Sequence, residues 1–183
     1  MKAMIVCVSV SHGNTKRVAD AMGQVLEAAV VTPEQVDPAE LASCDLVGFG
    51  SGIFSMAFHP QLLQFVRALP NEPRGKAFVF STSGLPEAPF RPFTRPLLQL
   101  LEQKGFEPVD AFSCRALDTW LPFKLIGGIR KQHPNADDFN AAQTFAEGLR
   151  ARVEATFRPA LQGHHGISAE VARQRLCLPR ASR

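Results

Sequence analysis

The chain has 183 residues, 45% of them hydrophobic, and 20 Lys and Arg against 17 Asp and Glu leave a formal net charge of +3. That length fits one domain with room for a sizeable core, and the composition is that of a globular chain rather than a disordered one. No apolar run approaches the ~20 residues that span a bilayer, the mild charge makes no strong case for nucleic acid, and the first residues lack the pattern of a signal peptide, so no membrane partner and a cytoplasmic location are expected.

The elements alternate along the chain. Ala3-Met4-Ile5-Val6-Cys7-Val8 is a first strand, and 14 to about 26 is a helix that opens directly after a small polar turn. Residues 28–31 form a short second strand and 45–50 a third. The next helix spans 59–69, with Leu62, Leu63, Phe65, Val66 and Leu69 on one face, Pro60 in its first turn and Pro70 at its end. Residues 77–80 form a fourth strand. A helix over 91–104 turns Leu97, Leu98, Leu100 and Leu101 inward and ends at Gly105, with Pro92 and Pro96 disturbing its start. Residues 106–114 form a fifth strand whose start is made irregular by Pro108. The last helix runs from 137 to about 157 on Phe139, Ala142, Phe145, Ala146, Leu149 and Val153. Strands alternating with helices predict an α/β fold, a parallel sheet covered on both faces, with ligands gathering at the carboxyl ends of the strands. One domain over 1–157 and a tail over 158–183 follow.

The turn between the first strand and the first helix reads Ser9-Val10-Ser11-His12-Gly13-Asn14-Thr15. It has neither the longer spacing and Lys of a Walker loop nor the three glycines of a dinucleotide loop. Two readings stand at this point. The polar residues cap the helix, or they join the unpaired N–H groups of its first turn in holding a phosphate, with hydroxyls of Ser9, Ser11 and Thr15 and the amide of Asn14 as further donors. Three more polar stretches follow strand ends: Ser51-Gly52-Ile53-Phe54-Ser55-Met56, Ser81-Thr82-Ser83-Gly84-Leu85-Pro86 and Ala116-Leu117-Asp118-Thr119-Trp120-Leu121. The fold class puts all of them on one rim, where loops carry function. Phe54 and Trp120 are the aromatic candidates to lie against a flat ligand, since the chain has no Tyr.

Cys7, Cys44, Cys114 and Cys177 lie far apart, with no metal-ligand or redox spacing. Cys7 reads as a core residue of the first strand, and no partner that would activate its thiol is legible. His164 and His165 are adjacent within Gly163-His164-His165-Gly166 and read as a linker rather than a metal site. No metal and no catalytic Ser-His-Asp set or carboxylate pair is expected. Arg173, Arg175, Arg180 and Arg183 gather in the tail and read as a solvated terminus.

On these residues the chain resembles the flavodoxin family over about 3–156. Ser11-His12-Gly13-Asn14-Thr15 resembles the family's FMN-phosphate loop, usually Thr/Ser-x-Thr-Gly-Asn-Thr. Gly48-Phe49-Gly50-Ser51-Gly52-Ile53-Phe54 and Ser81-Thr82-Ser83-Gly84 resemble its two ring-flanking loops, and Asp118-Thr119-Trp120 through Phe123-Lys124-Leu125-Ile126-Gly127-Gly128 is similar to segments of bacterial and archaeal relatives. The resemblance implies a flavodoxin-like three-layer α/β/α sandwich on a five-stranded parallel sheet of order 2-1-3-4-5. It implies noncovalent FMN, low-potential electron transfer and redox partner proteins. It implies cofactor contacts at Ser9, Ser11, His12, Gly13, Asn14 and Thr15 for the phosphate, and at Ser51, Gly52, Ile53, Phe54, Thr82, Ser83, Gly84, Asp118 and Trp120 around the ring.

Three features depart from the family pattern: His12 stands where the family has Thr or Ser, the stacking tyrosine is missing, and the chain is not acidic. The last departure, with Arg91, Lys124, Arg130 and Lys131 against Glu87 and Asp118 near the rim, implies a less negative flavin potential, since nearby carboxylates repel the reduced anion. The alternatives to a carrier are an FMN-dependent NAD(P)H:quinone or nitro reductase and a non-catalytic flavin-binding regulatory module.

Overall fold

A computed structural model of the chain describes residues 1–10, 13–83, 93–115 and 134–162. The elements are β1 (Ala3–Val8), α1 (Asn14–Leu26), β2 (Ala29–Val31), α2 (Pro38–Ala42), β3 (Leu46–Phe54), β4 (Ala57–Phe58), α3 (Pro60–Ala68), β5 (Lys76–Ser83), α4 (Thr94–Gln103), β6 (Glu107–Arg115) and α5 (Ala136–Gln162). The main sheet is parallel in the order β2-β1-β3-β5-β6, which is the expected 2-1-3-4-5 once the short β4 is set aside.

Period-2 alternation divides the strand side chains between two apolar layers. Ile5, Cys7, Leu46, Phe78 and Phe80 face α1 and α5, where they meet Val18, Met22, Leu26, Ala142, Ala146, Leu149 and Val153. Met4, Val6, Val47, Phe49 and Val79 face the other side and meet Leu41 of α2, Leu62 and Val66 of α3, and Leu97 and Leu101 of α4. Both faces of the sheet are therefore dry, which is why the strands read as continuous apolar runs.

Four details differ from the sequence reading, the first being that β5 runs on past Phe80 to Ser83, through residues expected as a loop. The pair β3–β4 closes a two-residue hairpin, Ile53 opposite Phe58 and Phe54 opposite Ala57, so β3 continues through the segment expected as a loop. The helix α2 was not foreseen, yet its signal is local: Asp37 accepts from the Ala39 N–H at 2.9 Å and Pro38 sits in the first turn. The helix α5 runs on past Phe157 to Gln162. The irregularity expected at Pro108 is a bulge: Ala77 pairs with Pro108 and Phe78 with Asp110, which leaves Val109 as the extra residue.

Candidate functional site

The chain leaves β1 toward β2 on one side and returns to β3 on the other. The carboxyl ends of β1 and β3 therefore border the point where strand order reverses, the place where ligands enter doubly wound sheets. Val8 pairs with Ser51 there, Ser51 with Ser81, Ser81 with Ser113, Gly52 with Thr82 and Thr82 with Cys114. A row of hydroxyls thus crosses the sheet just below its rim.

The helix α1 begins over this row. Its N-cap is Gly13 at φ 67°, in the left-handed region, and no side chain of the cap residue bonds to the helix. Glycine reaches that conformation without the Cβ clash an L side chain meets. Ser9, at the end of the β1 segment, supplies a cap from outside the turn: its Oγ accepts from the Lys16 N–H at 3.3 Å. The amides of Asn14 and Thr15 precede any carbonyl they could reach within the helix, so they have no intrahelical partner. No acidic residue lies in the first turn, and among the described residues, its chain neighbours aside, nothing stands within 4 Å of where a Gly13 side chain would begin. The end of the helix is thus electropositive and has no carboxylate in its own first turn, and it suits a phosphate.

The other hydroxyls of the row have hydrogen-bond partners within the protein. The Ser51 hydroxyl donates to the Gly52 carbonyl at 2.8 Å and accepts from the His59 N–H at 2.9 Å. Ser81 donates to Ser113 at 3.0 Å. Thr15 and Thr82 share a hydrogen bond of 2.7 Å between their Oγ1 atoms, and both residues are buried. Ser51 and Thr82 therefore brace the rim from below: they belong to strands, not loops, and their hydroxyls point to protein partners. Gly52 lies beneath the helix start, with the position of an added Cβ 3.8 Å from Thr15 Oγ1 and 3.0 Å from the Phe54 ring.

His59 is a residue the sequence reading passed over. It is the N-cap of α3, its Nδ1 accepts from the Gln61 N–H at 3.3 Å, and its ring meets Phe54 edge-on at 5.6 Å between centroids. The signal was the dipeptide His59-Pro60, since the residue before an N1 proline is the cap. Because the His59 N–H also holds Ser51, this one residue fastens the β3–β4 hairpin to the end of β3.

The structure thus brings Ser9, Gly13, Asn14, Thr15, Ser51, Gly52, Ile53, Phe54, Thr82 and Ser83 to one end of the sheet. Ser11, His12, Gly84, Asp118 and Trp120 lie outside the described residues, as do Glu87, Arg91, Lys124, Arg130, Lys131 and the pair His164 and His165. Burial pushes the Cys7 thiol up to about 12, with Asp20 adding to the rise, and burial likewise pushes Cys114 up to about 12. Neither supplies a thiolate near neutral pH. Among the described residues no helix is long and apolar enough to cross a membrane.

Known proteins share this fold. The flavodoxin domain model matches residues 5–114. An uncharacterised protein of Methanocaldococcus jannaschii is 37% identical over 149 residues, which is 81% of this chain and 98% of that protein. Among solved structures, oxidised Flavodoxin 2 from Bacillus cereus aligns with a TM-score of 0.64 at 18% identity, over 83% of this chain and 99% of that one. A flavodoxin from the domain Archaea aligns with a TM-score of 0.61 at 19% identity, over 84% and 99%. The flavodiiron protein of Giardia intestinalis aligns at 0.57 and 18% identity, over 84% of this chain but 36% of its own length.

Proposed function

Because the chain belongs to the flavodoxin domain family, we propose that it binds FMN noncovalently and works as a low-potential electron carrier between redox partner proteins. The observation that carries the reading is the start of α1: a left-handed glycine cap, amides without intrahelical partners and no acid in the first turn, at the point where strand order reverses. Bound there, FMN supplies one- or two-electron transfer, and the protein supplies orientation and electrostatics.

The chain's own residues divide that work. The amides of Asn14 and Thr15, with Ser9 beside them, hold the phosphate. Ser11 and His12 complete that turn. Gly52, Ile53 and Phe54 at the end of β3 and Ser83 at the end of β5 flank the ring, with Gly84, Asp118 and Trp120 as further contacts from the sequence. No residue is assigned to bond-making or bond-breaking. The flavin domain is proposed to occupy 1–157, with 158–183 as an appended tail.

The test is a titration of the flavin-free protein with FMN, followed by flavin fluorescence and the visible spectrum. Saturable binding at micromolar concentration or tighter is expected. A colourless protein that leaves FMN free at that concentration contradicts the proposal. Assay of the loaded protein with NADH or NADPH and a quinone then separates the roles: a carrier turns over only through a partner reductase, whereas rapid direct turnover identifies a reductase.

A further inference from the structure

The hydroxyl pair beneath the α1 N-terminus has a proton count that bears on the phosphate site proposed above, and the inference rests on that reading. Thr15 is on the first turn of α1, Thr82 is on β5, and their Oγ1 atoms are 2.7 Å apart. Thr15 is 3% exposed and Thr82 5%. Each threonine hydroxyl has one proton to donate and two lone pairs to accept with. Only one proton can lie between two oxygens at that distance. The other hydroxyl keeps its proton free for a third group.

The two orientations are not equivalent. If Thr15 donates to Thr82, the first turn presents only lone pairs from Thr15 to an incoming anion. If Thr82 donates to Thr15, the Thr15 proton is released toward the turn where the Asn14 and Thr15 amides have no intrahelical partners. Thr82 sits on a strand in the interior of the sheet, in register between Gly52 and Cys114, so its side chain is held by the sheet rather than by the turn. Among the described residues its hydroxyl has Thr15 as its hydrogen-bond partner. We propose that Thr82 is a positioning residue that donates its proton to Thr15, so that Thr15 in turn donates to the phosphate of the bound flavin nucleotide. A donor that has itself accepted a hydrogen bond is strengthened, and a bond to a charged acceptor is worth more than one between neutral groups.

The experiment compares FMN with riboflavin, which shares the ring but lacks the phosphate. Dissociation constants for both are measured on the wild-type protein, on Thr82→Val, which keeps the shape and loses the proton, and on Thr82→Ser, which keeps the proton. The expected result is a loss of about tenfold in FMN affinity for Thr82→Val, riboflavin affinity changed by less than about twofold, and FMN affinity restored in Thr82→Ser. Equal weakening of both ligands in Thr82→Val assigns Thr82 a purely structural role and overturns the proposal, as does unchanged FMN affinity. A wild-type protein that binds riboflavin and FMN equally overturns the phosphate site itself. A wild-type protein that binds neither overturns the flavin reading and this inference with it.

Discussion

Ser55 and Met56 adopt φ of 49° and 62°, the left-handed region, at the tip of the β3–β4 hairpin. Two-residue hairpins favour this geometry because its twist matches that of the strands, and they are usually filled by Asn, Asp or Gly. Here the turn holds residues whose Cβ opposes the conformation. Ser55 is exposed, so a change there costs no packing. Ser55→Gly is expected to raise stability by about 1 kcal/mol, read as a higher urea midpoint with an unchanged slope, and Ser55→Val to lower it. The Gly13 conformation was legible from its residue type and place. The hairpin was not, because Ser-Met is no turn signal: the pairing of Phe54 with Ala57 and the His59 brace impose the turn from outside.

At the scale of elements, the central strand β3 is shaped by its neighbour β5. Gly48 pairs with Phe78 and Gly50 with Phe80, and each phenylalanine ring lies over its partner glycine, so that an added Cβ would stand 2.4 Å and 2.1 Å from the nearest ring carbon. The glycines are therefore part of the packing of the α1 and α5 face rather than hinges for a ligand. Gly50→Ala is expected to destabilise by about 3 kcal/mol, measured by urea unfolding, with part of the loss recovered when Phe80→Leu is added. The two changes share one contact and should not be additive. Every strand of the main sheet and every helix longer than α2 was legible in order from apolar period, Pro at helix starts and Gly105 at a helix end. What periodicity missed was how far strands run: β3 and β5 extend into polar residues because Ser51 is held by the His59 N–H, Ser81 by Ser113 across the sheet and Thr82 by Thr15 of α1.

For the molecule as a whole, the two apolar layers set its response to alkali. Cys7 and Cys114 lie in the layer against α1 and α5, and burial raises both thiols from the ordinary 9.0 to about 12. In the unfolded chain the same thiols ionise near 9. Between these values the unfolded state has lost protons that the folded state keeps, so stability is full below pH 9 and falls as pH rises toward about 12. Urea unfolding at steps of pH across that interval is expected to show the decline, and Cys7→Ala a shallower one. At pH 8 in native buffer Cys7 and Cys114 are expected to resist alkylation until the chain is unfolded.

By itself the sequence determined the fold class, the strand order through its resemblance, and the place of the polar turn that opens α1 at the rim of the sheet. These follow from periodicity and from residue types whose conformational preference is local. Only the tertiary structure decided which hydroxyls are spent inside the protein. Ser51, Ser81, Thr82 and Ser9 look the same in the sequence, yet their hydroxyls meet different partners: Gly52 and His59, Ser113, Thr15 and the Lys16 N–H of α1 in turn. A hydroxyl's partner is set by what the sheet register brings within hydrogen-bond reach, and register is a relation between segments distant in the chain.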